Sequence, residues 1–83
     1  MEYAIIIVSS VTYAKRVEKE CEKRGITCVI GHTPAALSKK GCSFMVRVKM
    51  RDLKNTLAII DMLMLKTFGV YRRKGDGTYD LLG

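Results

Sequence analysis

The chain has 83 residues, of which 48% are apolar, and its formal net charge at pH 7 is +7. The length predicts one domain, residues 1–83, and the apolar content excludes a disordered chain. The apolar stretches are short or interrupted by charge and the first residues carry no signal-peptide pattern, so we expect neither a membrane span nor export. Three cysteines without paired spacing predict reduced thiols and a cytoplasmic protein.

The first half of the sequence predicts a strand, a helix and a second strand. The run "YAIIIVS", about residues 3–9, is apolar and β-branched, as in a buried central strand. Ser9, Ser10 and Thr12 are candidate N-caps of the following helix, and Gly25 is its expected C-cap. Helical spacing predicts one buried stripe on this helix, formed by Ala14, Val17 and Cys21. The segment "ITCVIG" predicts the second strand.

The second half predicts a third strand, a second helix and a hairpin. In "SFMVRVKM" the residues Phe44, Val46 and Val48 alternate with polar or larger ones, which is typical of a strand with one buried face. Asp52 is the expected cap of a helix that ends near Phe68 and Gly69. Its main buried stripe is predicted to be Leu53, Leu57, Ile60 and Met64. The segments "VYRR", "KGDG" and "TYDLL" predict a closing hairpin.

The second helix is apolar on more than one stripe, because Ile59, Met62 and Leu63 lie off its main face. A broad contact with the core explains this composition, and a homodimer surface is the alternative.

The order βαββαβ with a short extra strand predicts an α+β fold, the ferredoxin-like split βαβ sandwich, with one antiparallel sheet and two helices on one face. In the usual strand order the first and third strands are antiparallel neighbours. The end of the first strand then lies beside the start of the third. This arrangement predicts that Cys42 lies close to Ser9, Ser10 and the N-terminus of the first helix.

Cys42 is the candidate reactive residue. A helix N-terminus offers free N–H groups and positive partial charge, and Lys39, Lys40 and His32 add positive charge nearby. Each feature lowers the pKa of a thiol. The alternative is that Cys42 packs as a small hydrophobe at a strand end. Cys21 and Cys28 are expected to pack in the core, although Cys28 would serve as a resolving thiol if it lay near the loop.

Three other kinds of function have weaker support. The cysteines and His32 lack the paired spacing of a structural zinc site. The segment "KGCSFMVR" matches part of an RNA-recognition motif, but "AIIIVS" in the first strand supplies no aromatic platform, so nucleic-acid binding is disfavoured. With a single histidine and no carboxylate in the loop between Gly31 and Cys42, a stand-alone enzyme is not expected.

The first loop and helix, "SSVTYAKRVEK", and the segment "TPAALSKKGCSFMVRV" resemble the selenium/sulfur (Se/S) carrier protein-like family. The resemblance covers essentially the whole chain. It departs from the family pattern in two respects. Gly41 precedes Cys42 here, whereas the family's usual order is cysteine before glycine, and Ala35 and Ala36 replace the usual basic or acidic residues after the proline. The matching residues of the distinctive segment are Thr33, Pro34, Leu37, Ser38, Gly41 and Cys42.

The resemblance implies that Cys42 holds sulfur or selenium as a persulfide or selenosulfide and passes it to an acceptor thiol. Donor and acceptor proteins would be its partners, with no cofactor beyond the cargo. Pro34 would hold the loop entry and Gly41 would leave room beside the sulfur atom. The expected supporting residues are Ser9, Ser10, Thr33, Pro34, Ser38, Lys39, Lys40 and Gly41.

The alternative function is a non-catalytic module that binds RNA or protein through a basic sheet face. Its candidate residues are Arg47, Lys49, Arg72 and Arg73. The basic residues are spread along the chain, however, which favours a generally solvated basic surface.

Overall fold

The computed structural model describes residues 2–34, 37 and 44–82. In chain order these residues form β1 (Tyr3–Val8), α1 (Val11–Lys23), β2 (Cys28–His32), β3 (Phe44–Lys49), α2 (Leu53–Met62), β4 (Gly69–Arg73) and β5 (Tyr79–Leu81). A single 3-10 turn, Met50–Asp52, leads into α2. Neither helix combines the length and the hydropathy that crossing a bilayer requires.

The strands form one sheet in the order β2-β3-β1-β4-β5, and each neighbouring pair is antiparallel. The first and third strands are neighbours, as predicted, and Val8 lies opposite Phe44 in their register. The fold is therefore the predicted ferredoxin-like arrangement, with β5 added beside β4 at one edge.

The hydrophobic core lies between the sheet and the two helices. The predicted stripe on α1 is confirmed, because Ala14, Val17 and Cys21 are fully buried there. The strands contribute alternate residues to the same core, as period-two patterning requires. These strand residues are Ala4, Ile6, Val8, Val46, Val48 and Val70.

The C-cap residue of α1 is Arg24, and the predicted cap, Gly25, follows it and ends the helix. The φ of Gly25 is +73°, in the left-handed region that favours glycine. The N–H of Gly25 donates to the carbonyl of Glu22, and the N–H of Ile26 donates to the carbonyl of Cys21 at 2.9 Å. These bonds satisfy carbonyls that the end of the helix leaves unpaired, so the glycine is needed for this turn.

The predicted extent of α2 is wrong, since the helix ends at Met62 and not near Phe68. Met64 has a φ of +58° and is 90% exposed, so it is not part of the buried stripe. The N–H of Leu65 donates to the carbonyl of Ile60 and closes this end of the helix. After ten helical residues, about 15 Å, the chain turns back toward the start of β4.

The start of α2 also differs from the prediction. The side chain of Asp52 makes no capping hydrogen bond. Its carbonyl instead accepts from the hydroxyl of the fully buried Thr56 at 2.8 Å, which satisfies that polar group in the core.

The apolar residues beyond the predicted stripe of α2 divide into two groups. Ile59 is buried in the core and Leu63 packs against it, which supports the interpretation as a broad core contact. Met62 is exposed, so its side chain does not take part. A homodimer surface stays a prediction.

The opposite side of the sheet, which we call the open face, carries the other alternate strand residues. Ile5 and Ile7 point to this side and are nevertheless buried, although they lie outside the core under the helices. Opposite Ile5 on the neighbouring strands are Arg47 and Tyr71. Large side chains of the sheet itself therefore cover the centre of the open face.

Candidate functional site

The strand register brings several predicted site residues to one end of the sheet, which we call the loop end. β1 and β2 finish there, while β3 and β4 begin there. Phe44 pairs with both Val8 and His32, and Gly69 pairs with Ile7. Ser9 and Ser10 follow β1, and Thr33 and Pro34 follow β2, so these four residues lie at the loop end.

Ser10 is the N-cap of α1, one of the three candidates in the sequence. Its backbone is extended, with φ −149° and ψ 157°, and its hydroxyl oxygen accepts from the N–H of Tyr13 at 3.3 Å. No acidic residue occupies the first turn of the helix. Hence no carboxylate in this turn offsets the positive end of the helix dipole, and this end of α1 favours an anion.

We expect Ser10→Ala to lower the free energy of unfolding by about 1 kcal/mol, because the variant loses the capping acceptor. Ser9 is exposed and is the matched control. Ser9→Ala should change stability by less than about 0.5 kcal/mol. Urea unfolding followed by circular dichroism measures both, and equal losses would contradict the cap assignment.

Three aromatic rings lie at the loop end of the sheet. The rings of His32 and Phe44 lie with their centroids 5.3 Å apart and tilted by 33°. Phe44 packs on the core, whereas His32 is exposed. Phe68 is 63% exposed, and its N–H donates to the carbonyl of Ile7 at 2.8 Å. Phe68 was not among the predicted site residues, because the predicted second helix extended to it.

The chain turns directly after β2. Thr33 and Pro34 are half-buried, and the N–H of Leu37 donates to the carbonyl of Pro34 at 2.9 Å. The remaining predicted site residues lie outside the described residues. They are Ser38, Lys39, Lys40, Gly41 and Cys42.

The two cysteines that the structure describes, Cys21 and Cys28, lie far from the loop end. Cys21 is fully buried in α1, and Cys28, at the start of β2, pairs with Val48. Four residues of strand, about 13 Å, separate Cys28 from His32. Burial raises the pKa of the Cys28 thiol, and the neighbouring Cys21 thiol raises it further. Cys28 therefore does not lie near the loop, as a resolving thiol would have to.

A metal site finds no support in the described part of the chain, where no three His, Cys, Asp or Glu side chains converge.

Comparison with protein families finds that residues 2–72 match the family described as "Putative Se/S carrier protein-like". The match runs from just before β1 into β4 and includes the whole segment from Thr33 to Cys42. Comparisons with curated proteins and with solved structures found no match. The family match covers most of the length of the chain, and the chain therefore belongs to the Se/S carrier protein-like family.

Proposed function

We propose that the protein carries sulfur or selenium on Cys42, as a persulfide or selenosulfide, and delivers it to an acceptor thiol. Family membership supports the class of cargo. The burial of Cys21 and the raised pKa of Cys28 argue against either of them as the carrier thiol. Cys42 is then the preferred carrier among the three cysteines of the chain.

The register between β1 and β3 is the observation that carries this proposal. Phe44 lies opposite Val8, two residues before the N-cap Ser10. Cys42 precedes Phe44 by two residues, and Cα atoms two residues apart are at most about 7 Å from each other. The carrier thiol and the N-terminus of α1 would then share the loop end. Positive partial charge from the helix stabilises a thiolate and a terminal persulfide anion.

Loading would be a thiol exchange without net oxidation. The Cys42 thiolate attacks the outer sulfur of a donor persulfide and forms a new S–S bond. The donor S–S bond breaks, and the donor leaves as a thiolate. In delivery an acceptor thiolate attacks the terminal sulfur in the same way and Cys42 leaves as a thiolate. Selenium would replace the transferred sulfur atom in both steps.

The family implies a donor and an acceptor in general terms. We propose that they meet the carrier at the loop end, where the exposed ring of Phe68 and the ring of His32 offer a contact surface. The cytoplasm is the expected compartment, because Cys42 has to be a reduced thiol before each loading step.

The experiment that tests the proposal is the alkylation rate of each cysteine against pH, resolved by peptide mass spectrometry on the folded protein. Cys42 should react fastest, with a midpoint below the value of about 8.5 for a free thiol. Cys28 should react slowly throughout, because its pKa is raised and little thiolate forms near neutral pH. In denaturant all three should react alike. If Cys42 were as slow as Cys21 in the folded protein, the carrier assignment would be wrong.

A further inference from the structure

The open face of the sheet presents a cross-strand row in which cations alternate with aromatic rings. Tyr3 pairs with Lys49 on one side and with Arg73 on the other, and Arg73 pairs in turn with Tyr79. The row therefore runs Lys49, Tyr3, Arg73, Tyr79 across four strands, with neighbouring strands about 4.8 Å apart. Arg47 and Tyr71 belong to the next row.

Negative charge is segregated from this face. Among the described strands Asp80 is the sole carboxylate-bearing residue, and it pairs with Arg72 across β4 and β5. Arg72 and Asp80 point to the helix side and form a salt bridge of 2.8 Å. In the described residues, Arg47, Lys49 and Arg73 form no such ion pair. The open face is thus cationic without internal neutralisation.

Two rings of the open face, Tyr71 and Tyr3, are held in place by their neighbours. A Cβ placed on Gly69 would come within 2.7 Å of Cε2 of Tyr71, so this ring lies directly over the glycine backbone. The guanidinium carbon of Arg47 lies 4.8 Å from the centre of the Tyr3 ring. The buried Nε of Arg47 has no hydrogen-bond partner among the described residues. The face therefore combines a ring that lies flat over glycine backbone and a ring that is paired with a cation.

We propose that the open face binds single-stranded nucleic acid, with phosphates at Lys49, Arg73 and Arg47 and bases stacked on Tyr71 and Tyr79. Cations that follow a backbone and rings that stack on bases are the two elements of single-strand recognition. An acidic protein would use the cations but would have no need of the rings. A duplex keeps its bases stacked inside and would leave the rings unused.

The sequence disfavoured nucleic-acid binding, whereas the open face of the folded sheet supports it. The segment "AIIIVS" supplies no aromatic residue, but Tyr3, the residue before it at the start of β1, lies on the open face. Tyr71 and Tyr79 join the same face from β4 and β5 through the register. Arg72, a candidate cation in the sequence, does not belong to the open face, because it points to the other side of the sheet and pairs with Asp80.

The test is fluorescence anisotropy of a short labelled single-stranded RNA of mixed sequence, titrated with the folded protein at several salt concentrations. The double variant K49Q/R73Q should weaken binding and reduce the slope of log K against log salt by about 1.4, since each phosphate contact contributes about 0.7. The matched control K15Q/R16Q removes one lysine and one arginine from exposed positions on α1. It should leave the slope nearly unchanged.

Tyr71→Leu should weaken binding about fivefold or more with little change in the salt slope, because it removes stacking and no charge. Tyr79→Leu provides a second ring variant should the first disturb packing over Gly69, which thermal unfolding would reveal. Three outcomes would overturn the proposal. The two double variants could lose equal affinity for the RNA, the protein could bind duplex as tightly as the single strand, or it could fail to bind RNA at low salt. Binding to anionic lipid vesicles but not to RNA would overturn it in favour of a membrane surface.

Discussion

Replacing Cys42 by serine should abolish loading of the protein with transferable sulfur. Serine keeps nearly the same size and has a hydroxyl that stays protonated at neutral pH, so the nucleophile of the exchange is lost. The measurement is the intact mass after incubation with a low-molecular-weight persulfide. The native protein should gain one sulfur atom, and a reduced acceptor thiol should remove it again. The variant should show no such gain.

Cys28→Ser is the matched control for this experiment. It removes one thiol that is half-buried, lies at the far end of β2 and has a raised pKa. This variant should load as the native protein does. Loading that survived in Cys42→Ser and disappeared in Cys28→Ser would transfer the carrier role to the other end of the sheet and contradict the proposal.

Much of the fold could be predicted because its signals are local. The alternation in β3 and the continuous apolar run of β1 follow directly from side-chain periodicity in strands. Gly25 ends α1 because only glycine takes its left-handed conformation without cost. Ser10 was one of three cap candidates, and the structure distinguishes it by its bond to Tyr13.

The features that were missed depend on tertiary structure. No glycine or proline marks the end of α2, where Met64 adopts a left-handed conformation. The helix ends there because the chain has to return to the loop end and pair with β1. Arg72 and Arg73 are adjacent in sequence, yet register alone gives one of them a carboxylate partner and leaves the other on the open face.

The candidate site was predictable in part for the same reason. That the end of β1 lies beside the start of β3 follows from the strand order of the fold, and the register confirms it. The exposed ring of Phe68 at the same end required knowledge of where β4 begins. The role proposed for Cys42 rests on the family and on the register at the loop end, and thiol reactivity is the property that tests it.

The two faces of the central strand β1 should differ in how much a truncated side chain lowers the free energy of unfolding. Ile5 and Ile6 are adjacent, of the same type and almost equally buried, at 2% and 0% exposure. Ile6 lies between the sheet and the helices, where close packing lets the surroundings relax only partly around a cavity. Ile5 is covered on the open face by cross-strand neighbours such as Arg47 and Tyr71, which are only half-buried and are able to settle inward.

We therefore expect Ile6→Ala to cost near the upper end of the range of about 2 to 5 kcal/mol for such truncations, and Ile5→Ala near the lower end. Urea unfolding measures both losses, and the dependence of the unfolding free energy on urea concentration should be the same in the variants as in the native protein. A domain with an ordinary free energy of unfolding, about 5 to 15 kcal/mol, tolerates Ile5→Ala more readily than Ile6→Ala. Equal costs would mean that the open face is packed as rigidly as the core. In that case Arg47 and Tyr71 would support Ile5 as firmly as the helices support Ile6.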